Sequence, residues 1–277
     1  MQLSYSKLST YRRCGFQYRL RYVERIPSRP KAHFRFGSVL HSVLGKFYRY
    51  EGEGKPSREY FLRLFESAWP VDTERHRRSY ELGIEVLREC YRANIDTWAP
   101  PVWVECTFNV PIGRHSIQGV FDRVDRLGED RYKVIDYKAG TVVPTQADLD
   151  GDLQLSLYGL AFWKMAGSIP EELCIYHLRE NVALSTVRTQ EDLEETERQI
   201  LQVGDRLSRK EGWKPRESDE CRWCDYVDYC AKKTETPIPV YDQLELGLEE
   251  GQPETREARP KEQGEKACPM DLFRMER

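Results

Sequence analysis

The stretch Gly119-Val120-Phe121-Asp122-Arg123 is followed by Val134-Ile135-Asp136-Tyr137-Lys138-Ala139-Gly140, with thirteen residues between the two aspartates. Both pieces lie in apolar, β-favouring runs, and the turn-like Gly128-Glu129-Asp130 separates them. That pattern predicts a hairpin with acids in its strands. Alternate side chains of a strand share a face, so Asp136 and Lys138 point the same way, roughly 6.6 Å apart along the chain. Two carboxylates and one ammonium on a sheet face suit a hard divalent metal with water beside it. A surface hairpin with ordinary charges is the alternative. Against it, Asp136 is flanked by Val134 and Ile135, and charged residues are rarely buried unless paired or ligating.

Upstream of the hairpin the pattern is helical. Ser6 is placed to cap a helix from Lys7 to Tyr22, and Pro27 and Pro30 then break the chain. Val39, Leu40, Val43, Leu44 and Phe47 recur at helical spacing within 37–50. Helices over 57–69 and 74–98 follow, the second ended by Pro100-Pro101. The period then changes: Val102, Val104, Cys106, Phe108 and Val110 alternate as in a strand, which sends Glu105 to the opposite face as a neighbour of the site at most. Downstream, 146–166 reads as helix, 172–179 and 182–189 as short strands, and 190–210 as a polar helix with Leu193, Ile200, Val203 and Leu207 on one face. Helices, a meander with a helix behind it, and more strand imply a mixed α/β layered core. Residues 235–277 lose hydrophobic periodicity and are rich in Pro, Glu, Gln and Gly, which predicts a disordered acidic tail after a domain spanning 1–234.

The chain has 277 residues and a net charge of −3. It holds no apolar run long enough to span a bilayer and shows no signal-peptide pattern, so a cytoplasmic location is expected. The charge is unevenly spread. Residues 1–35 carry nine Lys/Arg against one acid, and 235–277 carry eleven acids against six bases. Tyr5, Tyr11, Tyr18 and Tyr22 interleave with Arg12, Arg13 and Arg19. Basic and aromatic side chains together suit phosphates and stacked bases; an amphipathic helix with a solvated arginine face is the plainer reading.

Cys221, Cys224 and Cys230 are spaced C-x2-C-x5-C, a strong metal signal. Three thiolates on a short loop suit a soft metal centre, and Cys14 is the candidate fourth ligand. Such a set ties the two ends of the domain together and closes a long loop. Zinc and an iron–sulfur cluster are both allowed by four thiolates. Cys90, Cys106 and Cys174 read as core residues, and Cys268 as a free thiol in the tail.

In these motifs the chain resembles the RecB-like group of PD-(D/E)XK nucleases, and within it those with an iron–sulfur staple, such as the AddB nuclease domain and the CRISPR adaptation nucleases. Leu3 to Tyr18 is similar to that group's opening segment, although Gly15 stands where a proline more often follows the cysteine. Gly37-Ser38-Val39-Leu40-His41 resembles its histidine motif, Gly119 to Asp122 its first acidic motif, Asp136-Tyr137-Lys138 its (D/E)-x-K, and Gln154 to Tyr158 its Q-x-x-x-Y helix. Cys14, Cys221, Cys224 and Cys230 match the cluster ligands. The resemblance implies a restriction-endonuclease-like fold: a mixed β-sheet flanked by helices, an N-terminal helical region, and a [4Fe-4S] cluster tying its ends. It implies Mg²⁺ or Mn²⁺ on His41, Asp122, Asp136 and the Tyr137 carbonyl. Lys138 would act beside the attacking water, and Gln154 and Tyr158 would reach the substrate from one helical face. DNA would lie along Arg12, Arg13, Arg19 and Tyr158.

The implied activity is metal-dependent hydrolysis of DNA, with an exonuclease on single strands or ends in repair or recombination as the leading form. The alternative is a catalytically silent or weakly active DNA-binding subunit of a helicase–nuclease or replication-clamp-associated complex. In the tail, Gln243-Leu244-Glu245-Leu246-Gly247-Leu248 resembles the bacterial sliding-clamp-binding peptide, with Gln243, Leu244, Leu246 and Leu248 as anchors. Met270-Asp271-Leu272-Phe273 is a weaker version without the glutamine. A sliding clamp and a helicase are therefore the implied protein partners.

Overall fold

The computed structural model describes residues 1–28, 36–69, 73, 76–230 and 266–269. Strand β1 (Gln2–Leu3) leads into helix α1 (Tyr5–Arg13), whose cap is Ser4 rather than Ser6. The single helix expected over 7–22 is interrupted. Cys14 is extended (φ −156°, ψ 114°), and α2 (Gly15–Tyr18) then runs into a π-helical turn at Arg19–Val23. A Cβ on Gly15 would lie 1.8 Å from the Gly212 carbonyl oxygen, so only glycine lets the two backbones touch here.

Helices α3 (Phe36–Tyr48), α4 (Arg58–Ala68) and α5 (Arg77–Asn94) follow near the expected positions. The meander is β2 (Trp103–Ile112), β3 (His115–Gly128) and β4 (Arg131–Lys138), all antiparallel neighbours. The crossover from β4 to its parallel neighbour β5 (Glu172–His177) contains two helices where one was expected, α6 (Gln146–Asp150) and α7 (Leu153–Ala166). Asp152 makes the break, accepting the Leu155 amide at 2.6 Å as the cap of α7. Buried Arg188 braces this corner by donating to the Leu149 carbonyl (2.7 Å) and the Ser156 hydroxyl (2.9 Å). Strand β6 (Val182–Thr186) and helix α8 (Gln190–Ser208) complete the core.

The sheet runs β6-β5-β4-β3-β2 and ends in β7 (Lys266–Ala267), while β1 pairs with β3. One core lies between the sheet and α1, α7 and α8 and includes Leu8, Phe121, Leu157 and Ile200. The other lies on the opposite face under α3, α4 and α5 and includes Leu40, Phe65, Leu87 and Tyr137. This is the mixed sheet with helices on both faces that the motifs imply. No described helix is long and apolar enough to cross a membrane.

Two expectations about the tail change. Residues 266–267, placed in a structureless segment, pair with Cys106 and Thr107 of β2. Cys268, expected to be free, is disulfide-bonded to Cys106. The open edge of β2 explains the first, since it offers unpaired backbone groups to any extended segment. The rest of the predicted tail, with both clamp-type peptides, lies outside the described residues.

Candidate active site

The site forms where β3 and β4 part. Their pairing runs as far as Arg123 opposite Ile135, whereas β4 stays paired to β5 through Lys138 opposite His177. Beyond the fork the Tyr137 amide donates to Asp122 Oδ2 at 3.0 Å, so a side chain takes over from the backbone ladder. Asp122 is thereby fixed in a buried position. His41, on the buried face of α3, places Nδ1 3.3 Å from the same oxygen.

Asp136 is also buried and faces α7. Its Oδ1 accepts from Gln154 Nε2 at 3.0 Å, and its Oδ2 lies 2.8 Å from Lys138 Nζ. Lys138 also donates to Gln154 Oε1 at 2.8 Å. One amide thus spans the acid and the ammonium. Tyr158, one turn along α7, has its hydroxyl 2.9 Å from Gln154 Nε2, while its ring packs edge-on against Phe108 and Phe121. Tyr158 is only 3% exposed, so the structure gives it packing and support of Gln154 rather than a surface facing DNA.

The residue that sequence reasoning underrated is Glu105. Its carboxylate, His41 and Asp122 each offer a ligand atom within 4.8 Å of the others, and all three side chains are buried. The alternation of β2 breaks at this point: Val104 packs in the α3-side core and Cys106 in the α7-side core. Glu105 itself has φ +46°, a left-handed conformation that costs a residue with a Cβ about 1–2 kcal/mol. The signal in the sequence was an acid inside an apolar strand; what hid its place beside His41 and Asp122 was the assumption of unbroken alternation. Two buried carboxylates close together repel unless a cation joins them, and two oxygen donors with one imidazole suit Mg²⁺ or Mn²⁺. The residues therefore fit a divalent metal.

Cys14, Cys221, Cys224 and Cys230 line a single hollow together with Arg13, Gln17, Pro215 and Arg216. The extended backbone at Cys14 and two 3₁₀ turns, Asp219–Trp223 and Val227–Tyr229, bring them there. Backbone amides approach the sulfurs, Arg216 N to Cys14 at 3.5 Å and Ser218 N to Cys221 at 3.4 Å. Burial, and then the neighbouring Cys14, push the Cys224 thiol up to about 11. Of the arginines expected on DNA, Arg12 donates to Gln199 (2.7 Å) and Arg19 pairs with Glu24 (2.6 Å). Arg13 contacts Gln17 (3.1 Å) and Glu220 (3.4 Å) at the rim of the hollow.

A family model described as the PD-(D/E)XK nuclease superfamily matches residues 2–231. The chain belongs to this superfamily. As a PD-(D/E)XK protein it is a member of a family of nucleases that use divalent metals, and the matched span includes both the fork and all four cysteines of the hollow. No curated protein matches the chain in sequence. Among solved structures, the protein designated SSO0001 is 16% identical, with 71% of this chain and 86% of that one covered and a TM-score of 0.35. A candidate exonuclease from Eubacterium rectale is 12% identical, with 78% and 98% covered and a TM-score of 0.38.

Proposed function

We propose that this PD-(D/E)XK protein is an active Mg²⁺- or Mn²⁺-dependent deoxyribonuclease that processes single strands or ends. The observation that carries the reading is the convergence of His41, Glu105 and Asp122 with Asp136, Lys138 and Gln154 around one fork in the sheet. A binding subunit without catalysis has no use for the full set.

His41, Glu105 and Asp122 would hold the metal, with Asp136 and the Tyr137 carbonyl as further oxygen donors. When bound, the ion supplies Lewis acidity toward a phosphate oxygen and lowers the pKa of water at the site. Lys138 orients the attacking water and offsets charge developing on the phosphate. Asp136 and Gln154 hold the ammonium in place, and Gln154 is itself held by Tyr158.

The four cysteines would hold a [4Fe-4S] cluster with a structural role. Support comes from their gathering around one hollow, from the amides directed at sulfur, and from the distance in sequence between Cys14 and the other three. Arg13 and Arg216, which line the hollow, would meet DNA passing that surface. The Gln243–Leu248 peptide would tether the enzyme to a sliding clamp and raise its concentration at replicating DNA.

The test is cleavage of end-labelled single-stranded, duplex and circular DNA by anaerobically purified protein with Mn²⁺, beside Lys138→Ala. Cleavage by the wild type alone is expected. Equal cleavage by both proteins would overturn the catalytic reading, and cutting of circles would exclude strict dependence on ends.

A further inference from the structure

We propose that Arg49 is a positioning residue for the metal site, which holds the backbone of Glu105 in the conformation that brings its carboxylate to His41 and Asp122. The inference rests on the metal-binding reading of those three residues and adds the device that builds the site.

In a regular strand, successive carbonyls point to opposite edges. Here a single nitrogen, Arg49 Nη2, donates to two successive carbonyls, Val104 O at 2.9 Å and Glu105 O at 3.3 Å. Both oxygens therefore turn toward the same guanidinium, and Glu105, the residue between the two carbonyl groups, is the one with a positive φ. The register agrees. Val104 pairs with Arg123 and Cys106 with Phe121, but Glu105 and Asp122 between them are not a pair. The register is the same on both sides, so no residue is inserted and the distortion is confined to Glu105; strained backbone of this kind persists only where its surroundings hold it.

Helix α3 and the residue that follows it supply the holding parts at intervals of four residues, on one face. His41 provides an imidazole to the ligand group. Gly45 leaves a notch, because a Cβ there would come within 2.8 Å of Glu105 Cγ. Arg49, whose amide still bonds the Gly45 carbonyl at 3.2 Å, closes over the peptide. Helix and distorted strand are thus matched at three positions one turn apart. Arg49 is exposed, so replacing it removes two hydrogen bonds without opening either core.

The experiment is calorimetric titration of the metal-free full-length protein with Mn²⁺, for the wild type, Arg49→Met, Glu105→Gln, the double variant of these two, and Asp122→Asn. Melting curves of the metal-free proteins show whether each variant folds. Arg49→Met is expected to weaken Mn²⁺ binding about tenfold, as loss of a residue supporting a ligand does. The same change is expected to have no further effect in the Glu105→Gln background, because Arg49 acts through Glu105. If Glu105→Gln weakens binding while Arg49→Met binds as the wild type, or if the two effects are additive, the positioning role is wrong and the metal reading stands. If the wild type takes up no Mn²⁺, or Glu105→Gln and Asp122→Asn bind it unchanged, the metal reading fails and the inference falls with it.

Discussion

Gln154 and Lys138 are joined by a 2.8 Å hydrogen bond from the ammonium to the amide oxygen, and the nitrogen of the same amide holds Asp136 at 3.0 Å. Gln154 therefore fixes the distance and orientation of the two charged groups of β4. Gln154→Leu keeps the size and removes both bonds. Single-turnover cleavage at saturating Mn²⁺ is expected to fall about 10²-fold, the scale of a misplaced catalytic group, with a loss of about 1–3 kcal/mol in stability because buried Asp136 loses a hydrogen-bond partner. An unchanged rate would mean that β4 alone positions Lys138.

Asp122 has two tasks that substitutions can separate. It accepts the Tyr137 amide where the strands part, and it belongs to the metal group. Asp122→Ala leaves a buried amide without its acceptor, and a loss of about 1–3 kcal/mol is expected in urea denaturation. Asp122→Asn retains an acceptor oxygen and should recover much of that stability. Both variants should lose Mn²⁺ binding in calorimetry.

The glycine that opens the first acidic motif has a packing reason. Gly119 pairs with Phe108 across β2 and β3, and a Cβ on it would stand 2.5 Å from the Phe108 ring. Gly119→Ala is expected to destabilise the fold by about 1–3 kcal/mol through overpacking. Cleavage per folded molecule should stay near the wild-type rate, because no ligand is displaced; a collapse of the rate in a fully folded variant would assign the glycine a direct role.

Anaerobically purified protein should be brown and contain iron and acid-labile sulfide, whereas a zinc-bound protein would be colourless. Cys14→Ser cuts the tie between the N-terminal helices and the 221–230 loop. Releasing so long a loop should cost about 2 kcal/mol or more, or roughly 4–8 °C in melting temperature, with loss of colour. A colourless wild type of the same stability as Cys14→Ser would remove the cluster.

Asp205 links α8 to β3, accepting from His115 Nε2 at 2.8 Å and Arg114 Nε at 2.7 Å. The His115 bond, and then the Arg114 bond, lower its pKa from the ordinary 3.8. A carboxyl whose folded pKa is depressed stabilises the fold fully above its unfolded value, and that contribution disappears as the pH falls through the folded value. Asp205→Asn should therefore lower stability at neutral pH and flatten its decline below about pH 4. Melting temperatures between pH 2 and 7 would reveal this, and parallel profiles for the two proteins would refute it.

Local pattern reached far because local rules govern the features it rests on. Alternating apolar residues and a Gly-Glu-Asp turn specify the β3–β4 hairpin, and helical periodicity specifies α3 and α8. The order of the motifs brought His41, Asp122, Asp136, Lys138 and Gln154 into view together. The interruption at Cys14 was not visible, because the helix yields there to a contact of Gly15 with Gly212, nearly two hundred residues away. Tyr158 looked like a substrate contact because its spacing from Gln154 allows it; its burial against Phe108 and Phe121 depends on which strands lie behind α7.

By itself the sequence determined the elements, the family-type motifs and most of the charged groups of the site, since period, turn residues and spacing are local properties of the chain. Tertiary structure alone decided that Glu105 belongs with His41 and Asp122. That grouping needs a left-handed residue inside a strand, and against it a notch at Gly45 and a guanidinium at Arg49 reaching two carbonyls, both supplied by α3 and its C-terminal end, far away in sequence. A period-two pattern has no term for a residue that neighbouring structure forces out of alternation.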